Sequence, residues 1–241
     1  ERHRAHIRIG RHHASGSQMA THFTFNAQLF ENGQPLRDAQ GQPRVCAFVV
    51  PAAHVRPEPK SWHSIGLRAT TSCAFDVPPL WVPEAQAFVI DAAHARSPGP
   101  LHRFAFDALA WVTLSACVLG MARQFLTLAE PLCARALPHL GGPSAHLQAL
   151  HAARGQSLAA ARGRFYDALD AAWAQVCAGD TLSDAQSAQL RERSLALVHE
   201  AREAVDAVYP GCGLHAADPR SAINRAWRDL HTASQHVIWQ R

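Results

Sequence analysis

The feature that most constrains the fold is a change of hydrophobic period near Pro100. Before Pro100, apolar residues alternate with polar ones, as in Thr21–Phe30, or form a short apolar block, as in Val45–Val50. Both patterns are typical of short strands. After Pro100, long Ala- and Leu-rich segments repeat apolar residues with helical spacing. The sequence therefore predicts an α+β fold, with an antiparallel β-domain over residues 1–100 and a helical domain over residues 101–241.

Within the β-domain, Thr21–Phe30 and Val45–Val50 are predicted to pair as a hairpin with a long connection. Further strands are predicted at His6–Gly10, Thr70–Val77 and Leu80–Val82. Most of the 15 prolines lie in the first 100 residues. Because proline is confined to the edges and ends of strands, this distribution favours a domain of short strands.

The helical domain is predicted to be an up-down four-helix bundle, because short polar breaks separate four apolar-periodic segments. Ser183 with Gln186 three residues later resembles a capping box. Asp218 followed by Pro219 predicts the start of the last helix. The four predicted helices are Leu101–Leu137, Ala145–Ala178, Ser183–Val208 and Pro219–Trp239.

Charge and hydropathy argue against two classes of partner. The chain has 241 residues with 23 basic and 19 acidic side chains, and Lys60 is its single lysine. Since the arginines are scattered and form no basic stripe, we expect no nucleic-acid partner. The longest uncharged apolar run, Ala108–Ala122, is shorter than the roughly 20 residues of a transmembrane helix. We therefore expect a buried helix there and no membrane partner.

The cysteines and histidines predict no metal site. The six cysteines form no CxxC pair, and the 16 histidines form no HExxH or compact ligand set. Zinc sites and small disulfide frameworks both need closer spacing than this. We expect reduced thiols, no metal cofactor and a cytoplasmic protein.

Two segments, one in each domain, carry a family resemblance. Ser61–Ser72 reads SWHSIGLRATTS and is followed by a segment that ends at Pro83, while Arg225–His236 reads RAWRDLHTASQH. In this order they resemble the acyl-CoA dehydrogenase superfamily, in which the β-domain ends in a W…GlrxTxS…VP pattern and the bundle closes with an R…RD helix. Gly10–Gly16 (GRHHASG) is similar to the family segment that lies against the flavin, although His12 stands where the family has an aromatic residue. The Arg225–His236 string is most similar to the oxygenase components of two-component flavin monooxygenases.

The resemblance implies a function and a set of partners. It implies reduced FMN or FAD as cofactor, FMN slightly preferred, delivered by a separate flavin reductase. It also implies hydroxylation of a small aromatic or sulfur-containing substrate by O2, and a homotetramer built as a dimer of dimers. Because the resemblance covers only the last two of the family's three domains, we expect the N-terminal helical domain to have no counterpart in this sequence.

The resemblance also implies roles for individual side chains. His236 and Ser15 would stabilise the flavin hydroperoxide. Arg225, Arg228 and His236, at i, i+3 and i+11, fall within one broad face of a helix. The alternative is that Arg228 and Asp229 form interhelical ion pairs and that His236 is a core or interface histidine. The residues expected to contact the flavin are Trp62, as a wall of the pocket, and Arg68, Thr70, Ser72, Arg225 and Arg228.

Two other functions remain open. An acyl-CoA dehydrogenase-like FAD flavoprotein would need a carboxylate to remove the α-proton of the substrate. No acidic residue follows Asp229, and the first predicted helix offers only Asp107 between Phe104 and Ala129. The missing carboxylate favours oxygen chemistry. The third possibility is a non-catalytic, truncated relative that only oligomerises.

Overall fold

The chain divides into two compact units, Glu1–His94 and Ala95–Arg241. The structure is a computed structural model that describes residues 12–31, 33–78, 80, 82–137 and 142–240. Antiparallel sheets make up the described part of the first unit, and the second unit is mostly helical. The predicted α+β fold is thus confirmed. The domain boundary placed at residue 100 stays a prediction.

The N-terminal unit is built from short antiparallel strands. Its sheets have the strand orders β1-β7-β6, β2-β5-β8 and β3-β4. The predicted hairpin is present, because β2 and β5 pair from His22 opposite Pro51 to Gln28 opposite Val45. The strands are β1 (His12–Ala14), β2 (His22–Gln28), β3 (Phe30–Glu31), β4 (Gln34–Pro35), β5 (Val45–Pro51), β6 (Arg56–Pro57), β7 (Cys73–Asp76) and β8 (Ala87–Phe88).

The core of this unit is aromatic. Along β2 the side chains of Phe23, Phe25 and Ala27 are buried, as alternation in the sequence predicted. The side chains that alternate with them, His22, Thr24 and Asn26, are exposed. The ring of Phe23 lies 5.3 Å from that of Phe75 on β7, and the ring of Phe25 lies 6.1 Å from that of Phe48 on β5. These contacts hold the two larger sheets over one core.

Two strand predictions need comment. Leu80 and Val82 are not in a strand, and the strand that pairs with β5 at this edge is β8, Ala87–Phe88. Flanking prolines explain the error, since proline cannot donate to a sheet ladder. The strand predicted at His6–Gly10, and Trp81, lie outside the described residues.

The second unit contains four long helices in the part of the chain that the structure describes. α1 packs against α2, α3 and α5, and α2 packs against α3, as in the predicted bundle. Two short strands, β9 (Ala136–Leu137) and β10 (Gly142–Pro143), pair between α1 and α2. The helices are α1 (Phe106–Cys133), α2 (Ala145–Ala178), α3 (Asp184–Val208), the short α4 (Gly213–Ala217) and α5 (Ala222–Ala233).

The helix ends follow local capping chemistry. The capping box of Ser183 and Gln186 is confirmed at the start of α3. α5 begins at Ala222, later than predicted, because the Ser221 hydroxyl accepts from the Asn224 amide and acts as the N-cap. The carboxylate of Asp218 is instead bound to Arg220, through its amide and its guanidinium.

The bundle core is closely packed around α1. By length and composition α1 would fit across a membrane. In this fold its inward face, which includes Val112, Leu119 and Phe125, lies in the core cluster shared with α2, α3 and α5, whereas Phe106 is 54% exposed. The fully buried large side chains of the bundle include Phe125, Phe165, Leu190, Leu197, Ile223 and Leu230.

Candidate functional site

Three of the predicted site residues form one hydroxyl cluster in the N-terminal unit. The Ser72 hydroxyl lies 3.0 Å from that of Ser15 and 2.8 Å from that of Thr70. Ser72 is only 6% exposed, whereas Ser15 is exposed to solvent. The buried Ser72 hydroxyl therefore links the half-buried Thr70 hydroxyl to the exposed Ser15 hydroxyl and orients the latter.

The Trp62–Ser72 segment is closed by hydrogen bonds to a single carbonyl. The oxygen of Leu67 accepts from the Trp62 indole N–H at 3.0 Å and from the Thr70 hydroxyl at 2.8 Å. Arg68 donates from Nε to the carbonyl of Ser64 at 3.3 Å, and its side chain is exposed. The sequence named Trp62, Arg68, Thr70 and Ser72 as flavin contacts but predicted a strand over Thr70–Val77. The structure has a 3-10 turn at Arg68–Thr70 and a strand that begins only at Cys73, so the four residues lie together in one loop.

The same segment contains the two non-glycine residues with positive φ in the described chain. Leu67 has φ 51° and Thr71 has φ 43°, and they bracket the 3-10 turn Arg68–Thr70. A left-handed conformation costs roughly 1–2 kcal/mol for an L-residue and is a clear outlier for a β-branched one. Strain of this kind concentrates at ligand sites, where surrounding contacts over-determine the backbone.

Contacts from the β1–β2 turn hold the strained backbone. The hydroxyl of Ser17 donates to the carbonyl of Thr71 at 2.7 Å, and the amide of Gly16 donates to the carbonyl of Thr70 at 2.7 Å. Ser17 and Thr71 were not among the predicted site residues. The signal available in the sequence was that the β-domain contains two short hydroxyl-rich stretches, 15–17 and 70–72.

A cleft of about 380 Å³ opens beside the hydroxyl cluster. Its wall combines aromatic rings with hydroxyl, imidazole and amide groups. A cavity of roughly 300–1,000 Å³ with this mixture is typical of small-molecule sites. Lining residues include Ser15, Ser17, His22, Phe23, Asn26 and Phe75.

The remaining predicted residues lie at the end of the bundle sequence. Arg225 is exposed on α5. Arg228 is half-buried, and its guanidinium donates from Nε to Asn224 Oδ1 at 2.8 Å and from Nη2 to the carbonyl of Pro219 at 3.1 Å. Arg228 therefore braces the first turn of its own helix.

The placement of His236 on the helical face of Arg225 and Arg228 is wrong. α5 ends at Ala233, and the amides of Gln235 and His236 bond three residues back, to Thr232 and Ala233. Bonds of this 3-10 type tighten the last turn and move the chain off the helical register. His236 is exposed in the turn that follows.

This turn selects the tautomer of His236. Its Nδ1 lies 3.2 Å from the amide of Ile238, which donates to it. Since a neutral imidazole carries one ring hydrogen, that hydrogen is on Nε2. His236 thus presents an N–H donor to solvent.

A half-buried histidine in the same string, His231, escaped the sequence analysis. The Nε2 of His231 lies 2.9 Å from Asp206 Oδ1, and its ring centre lies 4.4 Å from that of Trp227. Burial lowers the pKa of His231, Asp206 raises it and Arg202 lowers it, and the net shift is downward. His231 is a packing residue between α5 and α3.

The described residues contain no group of three His, Cys, Asp or Glu side chains placed to hold a metal ion.

The residues of the candidate site fall into two sets. Ser15, Trp62, Arg68, Thr70 and Ser72 form a hydrogen-bonded set in the N-terminal unit, and the second set lies on and just after α5.

Comparison with known families gives a match for most of the second unit. Residues 112–241 match the family model described as acyl-CoA dehydrogenase, C-terminal domain. A pigment production hydroxylase from Rhodococcus erythropolis is 27% identical over 206 residues, which are 81% of this chain and 52% of the hydroxylase. The chain thus spans about half the length of that relative.

Solved structures share the fold at low identity. XiaF from Streptomyces sp., in complex with FADH2 and glycerol, has a TM-score of 0.83 at 21% identity, covering 99% of this chain and 61% of XiaF. The HsaA monooxygenase from M. tuberculosis has a TM-score of 0.81 at 18% identity, covering 97% and 62%. TdsC from Paenibacillus sp. A11-2, in complex with FMN and indole, has a TM-score of 0.71 at 20% identity, covering 94% and 59%.

Proposed function

Because the chain belongs to the acyl-CoA dehydrogenase C-terminal domain family, we propose that it is an oxidoreductase, the oxygenase component of a two-component flavin monooxygenase or the C-terminal portion of one. It would take reduced FMN or FAD from a separate reductase and hydroxylate a small aromatic or sulfur-containing substrate. One atom of O2 enters the substrate, the other leaves as water, and the flavin ends oxidised. The hydroxylase relative and the FADH2- and FMN-bound structural neighbours support this choice within the family.

The observation that carries the proposal is the hydroxyl cluster beside the cleft. A flavin ring offers carbonyl oxygens and ring nitrogens, which neutral hydroxyl donors can bind without adding a charge. Ser15 lines the cleft and is backed by Ser72 and Thr70. The residues present fit a flavin.

Each side chain would have a role that follows from its chemistry. Bound reduced flavin supplies the activation of O2. Ser15 would donate a hydrogen bond toward the ring, and Trp62 would form an apolar wall. His236 would donate from Nε2, the nitrogen left free by the contact of Nδ1 with Ile238.

Three arginines would serve the flavin's anionic groups. Guanidinium groups bind phosphate with paired N–H donors. Arg225 and Arg68 are exposed and can reorient, whereas Arg228 is already braced by Asn224 and Pro219. Arg225 and Arg68 are therefore better candidates than Arg228 for a flexible phosphate contact.

The proposal also includes assembly and location. We propose a homotetramer, a dimer of dimers, in the cytoplasm, with the flavin reductase as a transient partner. Sedimentation of the purified protein tests the first of these: a tetramer supports it, and a monomer at micromolar concentration contradicts it.

Flavin binding is the direct test. The purified protein is titrated anaerobically with reduced FMN and reduced FAD, then mixed rapidly with oxygen. We expect saturable binding of a reduced flavin and slower reoxidation of bound than of free flavin. Ser72→Ala should weaken binding and His236→Ala should speed reoxidation, while His146→Ala, at an exposed position of α2, should change neither.

Two outcomes contradict the proposal. Failure to bind either reduced flavin would leave a non-catalytic relative. Tight binding of oxidised FAD that an acyl-CoA bleaches would establish a dehydrogenase instead.

A further inference from the structure

Two buried cysteines meet in the core of the helical unit. Cys133 is the last residue of α1 and Cys212 is the last residue of the 3-10 turn Tyr209–Cys212, and they are 3% and 6% exposed. Both are free thiols, and their side chains share a hydrogen bond. Since α2 and α3 separate them in the sequence, the contact is made by the tertiary fold.

The turn that carries Cys212 is packed against two helices. The ring of Tyr209 lies 6.3 Å from that of Phe125 on α1. A Cβ built on Gly211 would lie 2.8 Å from Cδ2 of Leu147 on α2, so the backbone of the turn approaches α2 closely. These contacts on both sides of the turn hold the thiol of Cys212 beside that of Cys133.

The surroundings of the two thiols give them different chemical roles. Burial raises the pKa of Cys133, and the hydrogen bond from Cys212 partly offsets this. Burial, the neighbouring charge of Cys133 and the hydrogen bond together raise the pKa of Cys212 to about 12. Cys212 also lies 3.5 Å from the carbonyl oxygen of Val208, which accepts from its thiol. Because the thiolate is the attacking form of cysteine, Cys133 is the better nucleophile and Cys212 keeps its proton.

We propose that Cys133 and Cys212 are a redox pair that closes to an intramolecular disulfide when the protein meets hydrogen peroxide. The sulfur of Cys133 attacks one peroxide oxygen, the O–O bond breaks, and a sulfenic acid and one water result. The sulfur of Cys212 then attacks that of Cys133, and the hydroxyl of the sulfenic acid leaves as water with the proton of Cys212. Two thiols are oxidised and one peroxide is reduced to two waters.

The bond would fasten the end of α1 to the segment that leads into α4 and α5. It closes a loop of roughly 80 residues, which restricts the unfolded chain more than the folded one. The oxidised protein should therefore melt about 5–15 °C higher than the reduced protein. A thiol reductant should reverse the change. None of the proposed flavin contacts takes part, so the redox pair is independent of the proposed function.

The experiment uses the full chain with Cys117→Ser and Cys177→Ser, which removes two exposed cysteines and the links that they could form between chains. The folded protein is treated with hydrogen peroxide, unfolded, alkylated without reductant and digested. Mass spectrometry should find one linked peptide pair that joins Cys133 to Cys212. We expect it to form slowly, because buried and protonated thiols react slowly, and to disappear with dithiothreitol.

Two further variants in the same background control the assignment. Cys212→Ala should abolish the linked peptide and the rise in melting temperature, and Cys133 should then be oxidised to sulfinic acid. Cys73→Ala is the matched control, since Cys73 is also buried, at 1% exposure, but lies in the N-terminal unit. It should form the linked peptide as its parent does.

Three results would overturn the proposal. The first is that Cys133 and Cys212 are both still alkylated after prolonged treatment of the folded protein with peroxide. The second is a linked peptide that forms only when urea is present during oxidation, because the folded structure would then not bring the thiols together. The third is an oxidised protein that melts below the reduced one, since the fold would then not accommodate the bond.

Discussion

The two sets of proposed flavin contacts are held in place by different physics. In the N-terminal unit, the Trp62–Ser72 loop is fixed by side-chain hydrogen bonds and by two residues in a strained conformation. In the helical unit, α5 is fixed by apolar burial of Ile223 and Leu230, and His236 lies beyond the helix in an exposed turn. The loop is thus held by polar contacts and strain, whereas α5 is positioned by its apolar face.

The contrast bears on catalysis. A group that must meet the ligand at a fixed distance is best carried by a backbone with few alternatives, and strain at Thr71 is the cost of that precision. His236, in the turn after α5, is instead held by hydrogen bonds of that turn, including the one from the Ile238 amide to its Nδ1. Variants in each region should therefore fail in different ways, and the following predictions run from the largest expected effect to the smallest.

The largest effect is expected from Leu230→Ala, which removes the apolar anchor of α5. Leu230 is fully buried in the bundle core. Truncation of such a residue costs about 2–5 kcal/mol, because it loses both transfer free energy and packing. Urea unfolding measures the free energy of unfolding, and a loss below about 1 kcal/mol would show that α5 is not held by burial.

A smaller effect on the free energy of unfolding is expected for the two arginines of α5, and it should differ between them. Arg228→Ala should lower the free energy of unfolding by about 1–2 kcal/mol, since it removes hydrogen bonds to Asn224 and Pro219. Arg225→Ala, at an exposed position, should change it by less than about 0.5 kcal/mol. For the affinity toward reduced FMN we expect the reverse: Arg225→Ala should weaken binding more than Arg228→Ala does. Equal effects on unfolding would contradict the bracing role of Arg228.

Relieving the backbone strain in the Trp62–Ser72 loop is expected to raise the stability of the protein. Thr71→Gly should raise the free energy of unfolding by about 1 kcal/mol, because glycine tolerates φ 43°. Thr70→Gly, one residue earlier, should lower it, because the Thr70 hydroxyl bonds to the carbonyl of Leu67 and the hydroxyl of Ser72. Thermal unfolding of both variants measures the two signs. A loss in Thr71→Gly would show that the loop is not strained.

Much of this architecture could be predicted from the sequence. Period-two alternation in 22–28 and the capping box at Ser183 are local signals, and the structure has both features. Errors arose where a longer-range partner decided the outcome. β8 at Ala87–Phe88 is selected by its pairing with β5 and not by an alternating pattern of its own.

In the candidate site, too, features set by nearby residues could be predicted from the sequence, and features set by distant residues could not. The stretch 61–72 was singled out as one motif, and its residues do lie together, because the contacts that close it span only a few residues. The strand predicted from Thr70 begins only at Cys73. The end of α5 was missed, since the sequence of 225–236 continues a helical pattern while the 3-10 turn after Ala233 ends the helix. The half-buried environment of His231 depends on Asp206, on another helix, and no spacing rule within 225–236 contains that information.

The smallest effect distinguishes two histidines in this string. His231 is half-buried, and its pKa is lowered from 6.5 by this partial burial and by Arg202, against the opposing effect of Asp206. The unfolded chain therefore binds the proton more readily, so stability is full above pH 6.5 and falls as the pH drops through the pKa of the folded protein. Melting temperature measured from pH 8 to pH 5 should decline, and His231→Gln should flatten that part of the decline. His236→Gln, at the exposed turn, should leave the profile as in the wild type. A melting temperature that rises toward pH 5 would mean that the Asp206–His231 ion pair outweighs burial, and α5 would then be held to α3 by charge as well as by its apolar face.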